Sequence, residues 1–345
     1  MSEHHGLRRR IIIIIACVAA LAIAALVALE WLRPSVVRRV GGPIQEVAEA
    51  LTPGLSRYVV IVSIDGLRAD AIEAYPTPTL HRLMRTGRYT LEARTVVPSK
   101  TLPAHTSMLT GAAVARHGVT WNEARPDSAR RVPTIFERAR RTGLSTAAFF
   151  SKPKFEGLAS GDGFDYVQRP VGGVIGMLAD EVDDDVEDAL REHHPHLLFV
   201  HIADPDYAGH LTGWMTRLYG RAVSSADAAL DDILESADEA YGEGEYTIIV
   251  TADHGGHGRD HTGAVPEDVL IPWIVAGKGV AGVGRIAEPV TIMDTGATAL
   301  WLLGLAVDAD LEGRAIRSAF DKPSLISPEF PELISPSSVT PSSIR

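Results

Sequence analysis

Cysteine is almost absent: Cys17 is the only one in 345 residues. A disulfide framework and any multi-cysteine zinc or iron–sulfur site are therefore excluded. The redox compartment stays undecided, because a chain without cysteine pairs can live anywhere. No self-similar period marks a solenoid. A basic footprint is also missing, with 33 Lys and Arg against 44 Asp and Glu, a formal charge of −11. Residues 1–40 hold six Arg and two Glu, so the remainder carries 27 basic and 42 acidic side chains. No nucleic-acid-binding surface is evident from such a body. An anionic substrate is compatible with it, since divalent metals reverse the local field inside one cleft. The rest of the composition, 46% hydrophobic and 22% charged, is an ordinary globular mix.

One long apolar run is present. Residues 11–29 read IIIIIACVAALAIAALVAL, without a charged side chain. As a helix they span roughly 28 Å, close to the ~30 Å hydrocarbon core of a bilayer. Arg8, Arg9 and Arg10 precede the run, which favours a cytoplasmic N-terminus. The expectation is a basic segment 1–10, a single-pass transmembrane signal anchor at 11–29 in the cell membrane, and an extracytoplasmic body. A cleaved signal peptide is the competing expectation, although its apolar region is normally shorter. The stretch from Ile14 to Cys17 loosely resembles a lipoprotein cleavage box, but twelve apolar residues follow it. Residues 30–57, rich in Pro and Gly, read as a stalk or linker. Residues 322–345 read as a Ser/Pro-rich tail.

Between them, 58–321 alternates apolar runs and helical patterns. Runs at 58–64, 145–150, 196–202, 246–251 and 271–276 suit buried strands. Helical patterns fall at 79–86, 134–142, 180–192 and 218–240; Gly87 and Gly143 act as stops for the first two. This alternation predicts an α/β fold with a mainly parallel central sheet covered on both faces, a three-layer sandwich. Sites in such sheets lie beyond the carboxyl ends of the strands.

Polar residues gather at those ends. The first run leads into Asp65-Gly66, the third into Asp204-Pro205-Asp206 and then His210, the fourth into Asp253-His254 and then His257 and His261. Eight of the 13 histidines fall between 193 and 261. A lone Asp after a strand is usually a turn former or helix cap. Three strand ends so furnished are harder to dismiss. Mixed carboxylate and imidazole donors suit zinc and similar metals. Five or six of them exceed the needs of one four-coordinate ion, so a two-metal cluster is the physical expectation. The segment 98–107 (PSKTLPAHTS) is crowded with hydroxyls, but no nucleophile-elbow motif accompanies them. A hydroxyl whose pKa is lowered by coordination needs no triad.

IDGLR at 64–68, PSKTLPAHTSMLTG at 98–111, HGVTWN at 117–122, DPDYAGH at 204–210 and TADHGGHG at 251–258 resemble the alkaline phosphatase superfamily. Within it, the type I phosphodiesterase/nucleotide pyrophosphatase branch is most similar, over about 58–305. The resemblance implies two divalent metals, zinc by type, and a covalent phospho-enzyme. It implies Asp65, Asp253 and His254 as ligands of one metal, and Asp206, His210 and His261 as ligands of the other. Thr101 matches the nucleophile that bridges toward the metals and is itself counted among the metal ligands, with Ser99 and Thr106 as its nearest competitors. Asn122 matches the amide that donates to a phosphoryl oxygen. The chain departs from the branch in three ways. His261 follows His254 by only seven residues, Ala104 stands where the branch has Asn, and the body is shorter. His257 therefore remains a rival for the last ligand position.

The implied function is a membrane-anchored two-zinc phosphoric ester hydrolase, a phosphodiesterase by resemblance, acting on a phosphate-ester substrate through a phosphothreonine. Phosphomonoesterase, phosphonate hydrolase and phospho-group transferase share the centre. A scaffold that kept the fold without the chemistry is the non-enzymatic rival. A sulfatase does not fit, because its usual modified cysteine has no counterpart near the site.

Overall fold

The computed structural model describes residues 36–39, 54–125, 130–170, 178–307 and 310–321. The apolar run 11–29 and the tail 322–345 lie outside the described residues. Among the described residues, no helix is long and apolar enough to cross a membrane.

Nine strands form one sheet: β1 Val36–Arg39, β2 Val59–Ile64, β3 Arg88–Arg94, β4 Thr146–Phe149, β5 Tyr166–Arg169, β6 Leu197–Ile202, β7 Thr247–Thr251, β8 Leu270–Gly277 and β9 Gly284–Arg285. Their order is β1-β5-β4-β6-β2-β7-β8-β3-β9. From β5 to β7 every pairing is parallel. β8 turns antiparallel against β7 and β3, and β1 against β5. The mainly parallel sheet is thus observed, with mixed edges. β1 falls inside the stretch read as a stalk, so these four residues join the sheet edge.

All residues of β2, β4, β6 and β7 are buried, so the centre of the sheet is covered on both faces. The helices doing so pack in two groups. One joins Ala179–His193, Arg217–Tyr241 and Pro78–Thr86; the other joins Thr101–Thr110, Ile135–Arg141 and Ile292–Leu302. Local signals set their limits. Thr134 caps Ile135–Arg141 through a capping box with Glu137. Pro78 opens Pro78–Thr86, where Asp227 accepts from the amides of Thr79 and Leu80.

β4, β6, β2 and β7 are consecutive neighbours, and each ends at the same rim. The crossover after β2 needs a glycine. Gly66 has φ +73°, and a Cβ there would meet Asp206 Cα at 2.9 Å. Trp214 Nε1 and Tyr219 Oη both donate to Gly66 O at 2.9 Å, fixing that turn against the first turn of helix Arg217–Tyr241 and the loop before it.

Candidate metal centre

Four strand ends deliver the polar residues. Asp65 follows β2, Lys152 follows β4, Asp206 and His210 lie on helix Asp204–Thr212 after β6, and Asp253 and His254 follow β7. His261 is carried by the loop beyond. Thr101 opens helix Thr101–Thr110.

Each of the three carboxylates is buried, and each has one oxygen committed and one free. Asp65 Oδ2 accepts from Lys152 Nζ at 2.6 Å and from His201 Nε2 at 2.9 Å. Asp206 Oδ2 accepts from the same Nζ at 2.5 Å. Asp253 Oδ1 accepts from the amides of Gly66 and His254 at 3.1 and 2.9 Å. Asp65 Oδ1, Asp206 Oδ1 and Asp253 Oδ2 are buried without a hydrogen-bond partner. Orphaned buried carboxylate oxygens are rare because each forfeits its hydration.

The imidazoles complete the pattern. His254, His261 and His210 each place Nδ1 on a backbone carbonyl: Gly255 O at 2.9 Å, Ser99 O at 2.6 Å and Arg259 O at 3.0 Å. Nδ1–H is then the donor, and Nε2 is left as a lone-pair donor facing the carboxylates, the arrangement metal-ligating histidines adopt. His254 Nε2 stands 3.2 Å from Asp253 Oδ2, 3.4 Å from Asp65 Oδ1 and 3.4 Å from Thr101 Oγ1. Asp206 Oδ1 stands 3.4 Å from His210 Nε2 and 3.8 Å from His261 Nε2. A tetrahedral zinc with bonds of ~2.0 Å has ligand–ligand edges of about 3.3 Å. The donor set therefore fits such ions in spacing and chemistry. Asp206, His210 and His261 form one compact group of potential ligands, and Asp65, Asp206 and His254 another. Asp206 thus stands in both groups, with Asp253 beside the second.

Charge tells the same story. Three buried carboxylates face one buried ammonium. Burial pushes Asp65 upward, but Lys152, His201 and His254 outweigh it and hold it well below the usual carboxylate range. Burial also raises Asp206, and Lys152 brings it below its ordinary value. Asp253 has no cation in contact; burial and then Asp65 push it well above that range. Burial and the stacked His261 ring, 3.6 Å away, lower His254 to about 3. Burial lowers His261 as well. Both shifts favour the neutral form of these two rings, the form that ligation requires.

The hydroxyls sort themselves by partner. Ser99 Oγ donates to His261 O and to Gly263 O, so it ties down the His261 loop. Thr106 Oγ1 donates back to Leu102 O at 2.7 Å. Thr101 Oγ1 faces His254 Nε2 and is completely buried. It caps nothing: the N-cap of its helix is Lys100, with no side-chain capping bond. Asn122 Oδ1 accepts from Leu102 N at 2.9 Å, which holds the amide beside Thr101 with its oxygen engaged. His257 lies elsewhere. Its half-exposed ring hydrogen-bonds Asp268 at 2.7 Å, and it belongs to neither ligand group.

Three residues of the centre escaped the sequence reading. Lys152 bridges two of the carboxylates. His201, buried on β6, takes Ser151 N–H on Nδ1 at 3.3 Å and so donates from Nε2 to Asp65. His105 places Nδ1 on Thr101 O at 2.8 Å and Nε2 on Ser63 Oγ at 2.9 Å, bracing the first turn of the helix. Lys152 stands just past the end of β4, where the strand-end rule directs attention.

The family described as type I phosphodiesterase/nucleotide pyrophosphatase matches residues 59–272, a span that contains every one of these residues. The chain belongs to that family. GPI ethanolamine phosphate transferase 1 of Aspergillus oryzae is 23% identical over 295 residues, covering 73% of this chain and 28% of its own. The 2,3-bisphosphoglycerate-independent phosphoglycerate mutase of Ectopseudomonas mendocina is 32% identical over 148 residues, covering 41% and 27%. Human ectonucleotide pyrophosphatase/phosphodiesterase family member 1 is 22% identical over 216 residues, covering 57% and 23%. This family member thus spans about a quarter of the length of the curated relatives it matches. Its fold is that of murine ectonucleotide pyrophosphatase/phosphodiesterase 5, at a TM-score of 0.64, 16% identity and coverage of 77% of this chain and all of that one. A 2-O glycosaminoglycan sulfatase, BT1596, shares the fold at a TM-score of 0.62 and 15% identity, covering 75% and 73%.

Proposed function

We propose that this chain is a two-zinc phosphoric ester hydrolase, a phosphodiesterase, whose nucleophile is Thr101. The observation that carries the proposal is Thr101 Oγ1, buried and facing His254 among three carboxylates that each keep one oxygen free. Asp65, Asp253 and His254 would hold one ion, and Asp206, His210 and His261 the other. When bound, the ions supply Lewis-acid stabilisation of charge and lower the pKa of a coordinated hydroxyl.

The chain's own residues do the rest. Thr101 Oγ1 forms a bond to phosphorus as the bond to the leaving oxygen breaks, giving a phosphothreonine; the proton lost by the Thr101 hydroxyl balances the one taken up by the departing oxygen, which leaves as an alcohol. Asn122, with its carbonyl occupied by Leu102 N–H, offers its amide hydrogens to a phosphoryl oxygen. Lys152 and His201 hold Asp65 in one orientation, and Ser99 holds the His261 loop. Hydrolysis of the phosphothreonine returns the free hydroxyl. Two observations support the choice of Thr101: the competing hydroxyls are committed to backbone carbonyls, and a structural relative with one threonine replaced by alanine is described as inactive, in complex with AMP. Transfer of the phospho-group to a second alcohol is the alternative that the transferase and mutase relatives favour.

A panel of phosphodiesters and monoesters with the full chain tests this. Zinc-dependent release of alcohol, with diesters turned over faster, is expected. Turnover only when an acceptor alcohol is supplied would assign a transferase. No turnover of any phosphoric ester overturns the proposal.

We further propose that residues 11–29 anchor the chain in the cell membrane, with the body extracytoplasmic. Protease added to intact cells or spheroplasts is then expected to digest the body. Protection until the membrane is breached would reverse the orientation, and a mature N-terminus beyond residue 29 would show cleavage.

A further inference from the structure

The chain enters its sheet at the rim that carries the metal centre. β1 pairs antiparallel with β5, with Val36 opposite Arg169 at the end of that strand. Followed through β5, β4 and β6 to β2, the register puts Val37 level with Val62. Val36 is then level with Ser63, two residues short of Asp65. Four strand spacings of ~4.8 Å separate β1 from β2, so Val36 lies roughly 19 Å across the rim from β2. The apolar run ends at Leu29, seven residues before Val36. Seven residues of extended chain reach at most about 25 Å. Whatever holds the run holds this corner of the rim within that distance.

The same rim carries exposed apolar side chains. Val97, Leu211, Leu218, Val265 and Val283 are the large ones exposed among the described residues. Scattered singly they would need no explanation. Four of them instead flank the loop that carries His254 and His261. Leu211, 73% exposed, directly follows His210, and Leu218 lies in the first turn of Arg217–Tyr241. Trp214 N–H, between them, donates to Gly258 O at 2.8 Å and ties that segment to the loop. Val97 and Val265 lie on the other side, where Ser99 Oγ donates to Gly263 O at 3.0 Å. Val283 is the exception. It precedes β9, which starts beside Arg88, the first residue of β3, at the opposite end of the sheet. Arg217 and Arg259 are exposed beside the two leucines. Two acids are exposed there too: Asp260, spent on the amides of His261 and Thr262, and Glu267, near Val265.

A surface that rests on a bilayer presents apolar side chains to the headgroup layer and arginines to its anionic lipids. We propose that the rim of the metal centre lies against the outer face of the membrane that holds residues 11–29, with Leu211, Leu218, Val97 and Val265 in the headgroup layer. This rests on the membrane anchor proposed above. Two independent observations meet in it: the short reach from Leu29 to Val36, and the gathering of exposed apolar side chains at that end of the sheet. The opposite end, marked by Asp162 before β5 and by Val283 before β9, then faces water. A phosphoric ester in the lipid leaflet would reach the centre without leaving the membrane.

The test places a fluorophore on the full chain in vesicles of equal parts phosphatidylcholine and phosphatidylglycerol. Cys17 is the only cysteine, so Cys17→Ser leaves a background for one introduced thiol at a time. Leu211→Cys and Val265→Cys report on the rim, Asp162→Cys and Val283→Cys on the opposite end. Nitroxide carried on lipid headgroups should quench the two rim labels about twofold or more, because side chains seated in the interface lie within ~10 Å of it. The labels at 162 and 283 should be unaffected. Leu211→Asp with Leu218→Asp should remove the quenching at 265 with the thermal midpoint unchanged, whereas Leu211→Phe with Leu218→Phe should preserve it. Quenching at 162 or 283 equal to that at 211 would overturn the proposal, by laying the sheet edge or the far end on the bilayer. A signal at 211 that follows protein density rather than nitroxide would assign the surface to a second copy of the chain, and would overturn it too. Quenching at no site, in a chain that alkaline carbonate does not extract, refutes the docking and leaves the anchor standing. Extraction by carbonate refutes the anchor, and the proposal with it.

Discussion

Thr101→Ala is expected to lower turnover by about 10⁴-fold or more, the scale on which loss of a nucleophile is felt. The fold and both metals should remain. The side chain caps no helix and lies on no ladder, so its hydroxyl contributes little to stability; its facing partner is His254 Nε2. Thr101→Ser should retain partial activity, because it keeps the oxygen and loses one methyl from a fully buried position. Rapid quenching with a labelled ester and peptide mapping should find phosphate on Thr101. A helix-capping role would give the reverse pattern, about 1 kcal/mol of lost stability with catalysis intact. Full turnover by Thr101→Ala, or label trapped only on Ser99 or Thr106, would reassign the nucleophile.

Chelation is expected to abolish activity and zinc to restore it, with two ions per active chain by elemental analysis. The physical ground is the charge imbalance: three buried carboxylates, three orphaned oxygens and a single paired ammonium. Zinc at a thousand times its dissociation constant should stabilise the chain by about 4 kcal/mol, read as a higher thermal midpoint. His261→Ala should empty the Asp206 site, since its Nε2 is one of the donors around Asp206 Oδ1. His257→Ala should leave occupancy unchanged, because that ring is spent on Asp268. One ion per active chain, or the opposite ranking of the two histidines, would refute this arrangement.

The sheet centre was legible because β2, β6 and β7 are short, apolar and β-branched, as strands buried on both faces must be. β3 was not: RYTLEAR mixes polar and apolar residues, because as an antiparallel outer strand it is only partly buried. Helix Thr101–Thr110 was invisible for the opposite reason. All ten of its residues are buried, so it has no polar face and no helical period to read. Asp65, Asp253 and His254 announced themselves by following strands. Lys152 did not, because a lysine in a sequence reads as surface, and only the fold reveals that two carboxylates enclose it. His201 was hidden within its own strand, where a histidine looks like one more buried position. Choosing between His257 and His261 needed the loop's path, which spacing alone does not give.

The neighbours β6, β2 and β7 bring together Asp206, Asp65 and Asp253, residues that lie far apart along the chain. No two of these strands are joined by a hairpin, so each pairing closes a long loop and carries its entropy cost. Each proposed ion would draw ligands from at least two of these segments, so the complete donor sets exist only once the strands have paired. With the centre loaded as proposed, tight metal binding during refolding would report that these three strands have come together.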